Sequence, residues 1–210
     1  MVASPANMDT TKKTYLALGD SYTIGESVLA SEQFPVQTVK NLRNLQNNFS
    51  EPDIIATTGW TTADLLHYLD ANPPQHTYTI VSLLIGVNNQ YQGRSLEEYK
   101  DEFDRLLKRS IAYAANIPAH VFVLSIPDYS VTPFGQQRDT LAIAKEIDEF
   151  NAANKMIALQ ARVHYIDITP ISRQSKNNAS LLANDGLHPS GYQYQRWSEL
   201  LVPAILDAIK

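Results

Sequence analysis

The chain has 210 residues, with 17 Lys and Arg against 22 Asp and Glu, for a formal net charge of −5. At roughly 150 residues per domain, this length predicts one domain, and 44% apolar with 19% charged residues is the composition of a folded globular chain rather than a disordered one. The absence of Cys excludes a disulfide scaffold, thiolate nucleophiles and Cys-based metal sites, and the acidic balance argues against a nucleic-acid surface.

The first residues, MVASPANMDT, carry neither a basic nor an apolar targeting region. They read as a flexible leader over 1–12, followed by one domain over 13–210. As written, this makes the chain cytoplasmic by default, and extracytoplasmic if a signal has been removed. TIVSLLIGV, Thr79 to Val87, is the longest apolar run and has the length of a strand, well below the roughly 18 residues of a membrane span.

From there two periods alternate. Strand-like runs fall at Thr14 to Gly19, Asp53 to Thr58, Thr77 to Gly86, His120 to Ile126 and Val163 to Ile168. Helical spacing of apolar residues appears from Gln33 to Leu45, Ala63 to Leu69, Leu96 to Ala115, Asp139 to Gln160 and Gly191 to Ile209. Such alternation predicts an α/β chain with a parallel sheet. Right-handed crossovers then give a three-layer α/β/α sandwich, with five strands in a flavodoxin-like order. Sheets of this kind gather ligands outside the carboxyl ends of their strands.

Several polar residues fall at those ends. Ser21, in GDSYTIGE after the first strand, stands on a tight turn where a nucleophile can be exposed, or where Gly-Asp-Ser simply starts a helix. Asp185 and His188, in DGLHPSGYQ, are spaced so that a turn can bring the carboxylate to the imidazole Nδ1–H and leave Nε2 as a base. Ser190 is a candidate cap for the last helix. Gly59 follows the second strand and Asn88 the third; a backbone N–H and a neutral side-chain amide are the donors an oxyanion hole requires.

In this order, Gly19-Asp20-Ser21, Gly59, Gly86-x-Asn88 and Asp185-x-x-His188 resemble the four blocks of the GDSL, or SGNH, hydrolase family, over about residues 14 to 210. The resemblance implies a serine ester hydrolase with Ser21 as nucleophile, His188 as general base and Asp185 orienting it. The Ser21 N–H, the Gly59 N–H and the Asn88 side chain would form the oxyanion hole, with no metal and no organic cofactor. The substrate would be a small-molecule ester: lysophospholipid, fatty-acyl or acetylated sugar. Two positions depart from the family pattern. Asn89 stands where Asp is usual, and Tyr22 where Leu is common.

Tyr22, Trp60, Tyr91 and Tyr129 can form an aromatic rim, and Asp128 after the fourth strand is a candidate substrate contact or a turn residue. His67, His76, His120 and His164 lack partners at metal-ligand spacing. A flavodoxin-like nucleotide or flavin binder is the alternative of a different class, but GDSYTIGE lacks both G-x-G-x-x-G and a P-loop Lys. A carbohydrate-binding relative without catalysis would have no use for the Ser21, Asp185 and His188 set. Oligomeric state is open.

Overall fold

The computed structural model describes residues 12–210, so all of the expected leader except Lys12 lies outside the described residues. Five strands, β1 (Tyr15–Gly19), β2 (Asp53–Ala56), β3 (Ile80–Leu84), β4 (Val121–Leu124) and β5 (His164–Ile166), form one sheet. All pairs are parallel, and the order is β2-β1-β3-β4-β5, the expected flavodoxin-like arrangement.

Burial follows position in the sheet. Every residue of β1, β3 and β4 is buried, whereas the edge strands β2 and β5 are partly open. Central strands of a parallel sheet are covered on both faces, which is why their sequences read as nearly unbroken apolar runs.

Helices complete two outer layers. The longer ones are α2 (Phe34–Asn44), α3 (Thr62–Ala71), α5 (Leu96–Tyr113), α6 (Thr140–Gln160) and α8 (Gly191–Ala208); three single-turn helices are α1 (Ser21–Ile24), α4 (Val87–Tyr91) and α7 (Thr169–Arg173). Crossover handedness assigns the faces. The step from β1 to β2 runs one way along the sheet, and every later step runs the other way, so right-handed connections put α2 opposite α3, α5 and α6. The packing agrees: α2 lies on α8, while α5 lies on α3 and α6. Phe34, Tyr194 and Trp197 fill the α2–α8 seam.

Local chemistry starts the helices. Thr61 and Asp64 form a reciprocal capping box on α3, Ser95 caps α5, Asp139 caps α6, and Ser190 caps α8 as its sequence position suggested. The change of direction between β1 and β3 creates the crevice at their carboxyl ends. Ser21 follows β1 directly and Asn88 follows β3, so topology brings these two residues to one place.

Candidate active site

Ser21 is the first residue of α1. Asp20 caps that helix, its Oδ1 accepting the Tyr22 N–H at 3.0 Å. The Asp20 carboxyl is buried; burial pushes it up to about 7 against hydrogen bonds from the backbone, and its Oδ2 meets no donor among the described residues. A carboxyl group thus fills the position after the first strand where a phosphate-binding fold would bring its anion, and the nucleotide-binding alternative loses its cradle.

His188 and Asp185 come from the loop before α8. His188 Nε2 lies 2.9 Å from Ser21 Oγ, and His188 Nδ1 lies 2.6 Å from Asp185 Oδ2. Asp185 Oδ1 accepts the backbone N–H groups of Leu187 and His188, both at 2.9 Å, while Oδ2 also accepts the Ser27 hydroxyl at 2.6 Å. Partial burial alone would raise this carboxyl. The hydrogen bonds from Ser27, His188 and the two backbone amides outweigh it and hold Asp185 at about 2, ionised at neutral pH.

Gly59 sits on the turn that closes between the Thr57 carbonyl and the Trp60 N–H at 3.2 Å. Its φ of +83° is the conformation that favours glycine, while a Cβ there would touch nothing within 4 Å. Asn88, in α4, donates one amide N–H to the Trp60 carbonyl at 2.9 Å. That bond fastens the Asn88 side chain to the turn carrying Gly59. The second Asn88 N–H and the N–H groups of Ser21 and Gly59 meet no acceptor among the described residues.

Asn89, the next residue, is buried. Its Oδ1 accepts the Thr62 N–H at 3.0 Å and its Nδ2 donates to Thr62 Oγ1 at 2.6 Å. The Thr62 hydroxyl then donates to Glu102. The Thr62 N–H can only donate, so it fixes which way the amide faces. With Asp at position 89, two carboxylates would compete for one hydroxyl hydrogen. Asn89→Asp is therefore expected to cost about 1–3 kcal/mol of stability, to leave kcat within roughly tenfold, and to be partly restored by Glu102→Gln. Melting curves on the two single variants and the double variant check the coupling. Additive losses would contradict it.

Three expected substrate contacts are corrected. Tyr129, expected at the rim, is buried and donates its hydroxyl to Gln90 Oε1 at 2.9 Å. Tyr22 is 3% exposed and does not line a mouth: its ring packs 5.4 Å from the His188 ring and 6.5 Å from Trp197, behind the imidazole. Asp128 is 2% exposed; Oδ1 caps the turn at Ser130 and Oδ2 pairs with Arg173 Nε at 2.9 Å, so its carboxylate serves the fold. Trp60 is half-buried against Tyr68. Tyr91, 42% exposed, lies one helical turn beyond Asn88 and carries the Arg138 guanidinium over its ring at 4.4 Å. Phe134 packs beside it and donates its N–H to the Gly186 carbonyl at 3.2 Å. Trp60 directly follows Gly59 in the chain, and Tyr91 ends the short helix that carries Asn88.

The sequence reading missed Ser27 and the Thr62–Glu102 pair. Neither has a spacing signal, because the partners lie 158 and 40 positions apart in the two cases. Among the described residues, no group of three or more His, Cys, Asp or Glu side chains is arranged to hold a metal ion, and no helix is long and apolar enough to cross a membrane.

A parallel α/β sheet with a Ser–His–Asp chain at its switch point defines a hydrolase scaffold. The chain belongs to the GDSL-like lipase/acylhydrolase family, whose model matches residues 17–196, and it is a carboxylic ester hydrolase. Solved structures of similar shape include TesA, with TM-score 0.73 and 18% identity over 93% of this chain and 99% of that one. The psychrotrophic esterase EstA from Pseudoalteromonas sp., inhibited by monoethylphosphonate, gives 0.71 and 19% over 93% and 98%. Axe2, an acetylxylan esterase from Geobacillus stearothermophilus, gives 0.68 and 20% over 94% of each chain. At these identities the likeness establishes the fold. No curated protein sequence matches the chain.

Proposed function

We propose that this chain hydrolyses acyl or acetyl esters through an acyl-enzyme on Ser21. The observation that carries the reading is the continuous chain from Ser21 Oγ through His188 to the ionised Asp185, at 2.9 and 2.6 Å. Asp185 accepts from Nδ1–H, which leaves the Nε2 lone pair directed at the Ser21 hydroxyl. His188 Nε2 takes the hydroxyl proton as Oγ attacks the ester carbonyl carbon. The carbonyl oxygen becomes an oxyanion, met by the Ser21 and Gly59 N–H groups and the second Asn88 N–H. When the tetrahedral intermediate collapses, the C–O bond to the alcohol breaks and His188 returns the proton to the leaving oxygen. Water, deprotonated by His188, then attacks the acyl carbon; the bond from that carbon to Ser21 Oγ breaks, His188 returns the proton to Oγ, and the acid leaves.

Trp60 and Tyr91 are proposed as the rim that meets the acyl or alcohol portion. Tyr22 and Asp128 are left to the fold. Acetyl esters are supported by the substrate of Axe2 on the same fold, and a phosphonate reagent by the inhibited EstA structure.

A phosphonate ester should modify the chain once, at Ser21, with complete loss of ester hydrolysis and no uptake by Ser21→Ala. Intact mass and peptide mapping read the result. Label on another residue, or full activity after stoichiometric labelling, would sink the assignment. A series from acetyl to palmitoyl on one leaving group then places the substrate among short-acyl and lipid esters.

A further inference from the structure

We infer that Ser27 is a positioning residue of this site, a hydroxyl that ties the Asp185–His188 loop to the segment carrying Ser21. The inference rests on the Ser21–His188–Asp185 reading above.

Among the described residues, Asp185 has four hydrogen-bond donors. Three of them, the His188 ring and the N–H groups of Leu187 and His188, belong to the same turn as Asp185 itself. They fix the carboxylate within its own loop and say nothing about where that loop stands relative to Ser21. The fourth donor, Ser27 Oγ at 2.6 Å, comes from the other side of the site. It lies just beyond α1, and the adjacent Glu26 N–H is bonded to the Ser21 carbonyl at 3.0 Å. Ser27 therefore joins the acid to the nucleophile's own segment by a path independent of the imidazole. The two routes from Ser21 to Asp185 close a ring around His188, and a ring holds the Nε2 to Oγ separation more tightly than an open chain can.

The backbone supplies a second observation. Ser27 has φ of +66°, in the left-handed region where a Cβ is unfavourable. It is exposed, so no packing demand explains a side chain at this position. Glycine would adopt the conformation without strain, as Gly25 does at the same φ two residues earlier. A strained, exposed serine whose hydroxyl reaches the carboxylate of the site fits the pattern in which local strain is kept where it serves function. The same hydroxyl is foremost among the hydrogen bonds that keep Asp185 ionised.

Two variants separate the hydroxyl from the backbone. Ser27→Ala removes the hydroxyl and keeps the Cβ strain; Ser27→Gly removes both. Each is measured for kcat and KM on an aryl acetate, for the rate of phosphonate modification of Ser21, and for Tm. Both should lose about fivefold to tenfold in kcat and in modification rate. KM should stay within about twofold, because the lost interaction acts on the reaction rather than on substrate binding. The Gly variant should melt above the Ala variant while matching its kcat. Wild-type kcat in Ser27→Gly, or kcat that follows Tm across the pair, would overturn the inference and leave Ser27 as a loop residue. Failure of the wild-type protein to be labelled at Ser21 is a different result: it would strike the acyl-enzyme reading itself.

Discussion

Asp185→Asn should lower kcat by about 10⁴, near 5.5 kcal/mol in the barrier, with the fold intact. All four groups facing this carboxylate are donors in the structure: two backbone N–H groups on Oδ1, and His188 Nδ1–H with the Ser27 hydroxyl on Oδ2. The backbone pair cannot turn around, so an amide must give its oxygen to them and point its NH₂ at His188 and Ser27. Ser27 can rotate its hydroxyl to accept. His188 must then accept at Nδ1, which moves its proton to Nε2 and turns the base toward Ser21 into a donor. The wrong tautomer is enforced by two main-chain amides. Steady-state kinetics with a thermal melt decides the matter: a kcat within tenfold of wild type would show that Asp185 does not orient the imidazole.

Asn88→Ala should lower kcat by about 10²–10³, or roughly 2.7–4 kcal/mol, and leave KM nearly unchanged. The negative charge on the substrate oxygen is full only in the tetrahedral state, so a donor aimed at it contributes little to ground-state binding. The structure adds a second consequence. Asn88 also donates to the Trp60 carbonyl and so holds the turn carrying Gly59. The substitution removes one proposed oxyanion donor and unfastens another, which sets the expected loss toward the upper end of that range. A modest fall in Tm is expected as well, because the Trp60 carbonyl loses its partner. Thermal stability therefore does not separate the two roles, and the kinetic split does. An unchanged kcat measured well below the melting temperature would leave Asn88 as a turn residue alone.

Much of this protein was legible in one dimension because it depends on local repetition. A strand buried on both faces needs an apolar run, and TYLALG and IVSLLIG are such runs; an amphipathic helix needs three- and four-residue steps, and Leu96 to Ala115 supplies them. Short helices escape this logic. Val87–Tyr91 and Thr169–Arg173 are five residues each, too short to show a period, and the region after β3 reads as a loop in the sequence. The expected second strand runs to Thr58, but pairing stops at Ala56 because the chain turns between Thr57 and Trp60, and the Trp60 N–H bonds the Thr57 carbonyl instead of a neighbouring strand.

The four blocks were visible as well, since each carries its residues within a few positions and family resemblance reads that kind of pattern. Tertiary structure alone decided what surrounds them. Aromatic rings look alike in sequence, yet Tyr22 is packed behind His188 while Tyr91 is 42% exposed. An aspartate after a strand looks available, yet Asp128 is occupied by Arg173, 45 positions away. Asn89 differs from the family pattern in a single residue, and only the fold shows that a carboxylate, Glu102, stands at the far end of its Thr62 hydrogen bond. Ser27 meets Asp185 across 158 positions. The sequence by itself determined which strands and longer helices form and which groups have the chemistry to react, because those properties belong to single residues and their near neighbours. The burial of each polar group and the identity of its partner were decided when the sheet order placed β1 beside β3 and brought the loop before α8 back over Ser21, since hydrogen bonds between distant segments exist only once the chain has closed on itself.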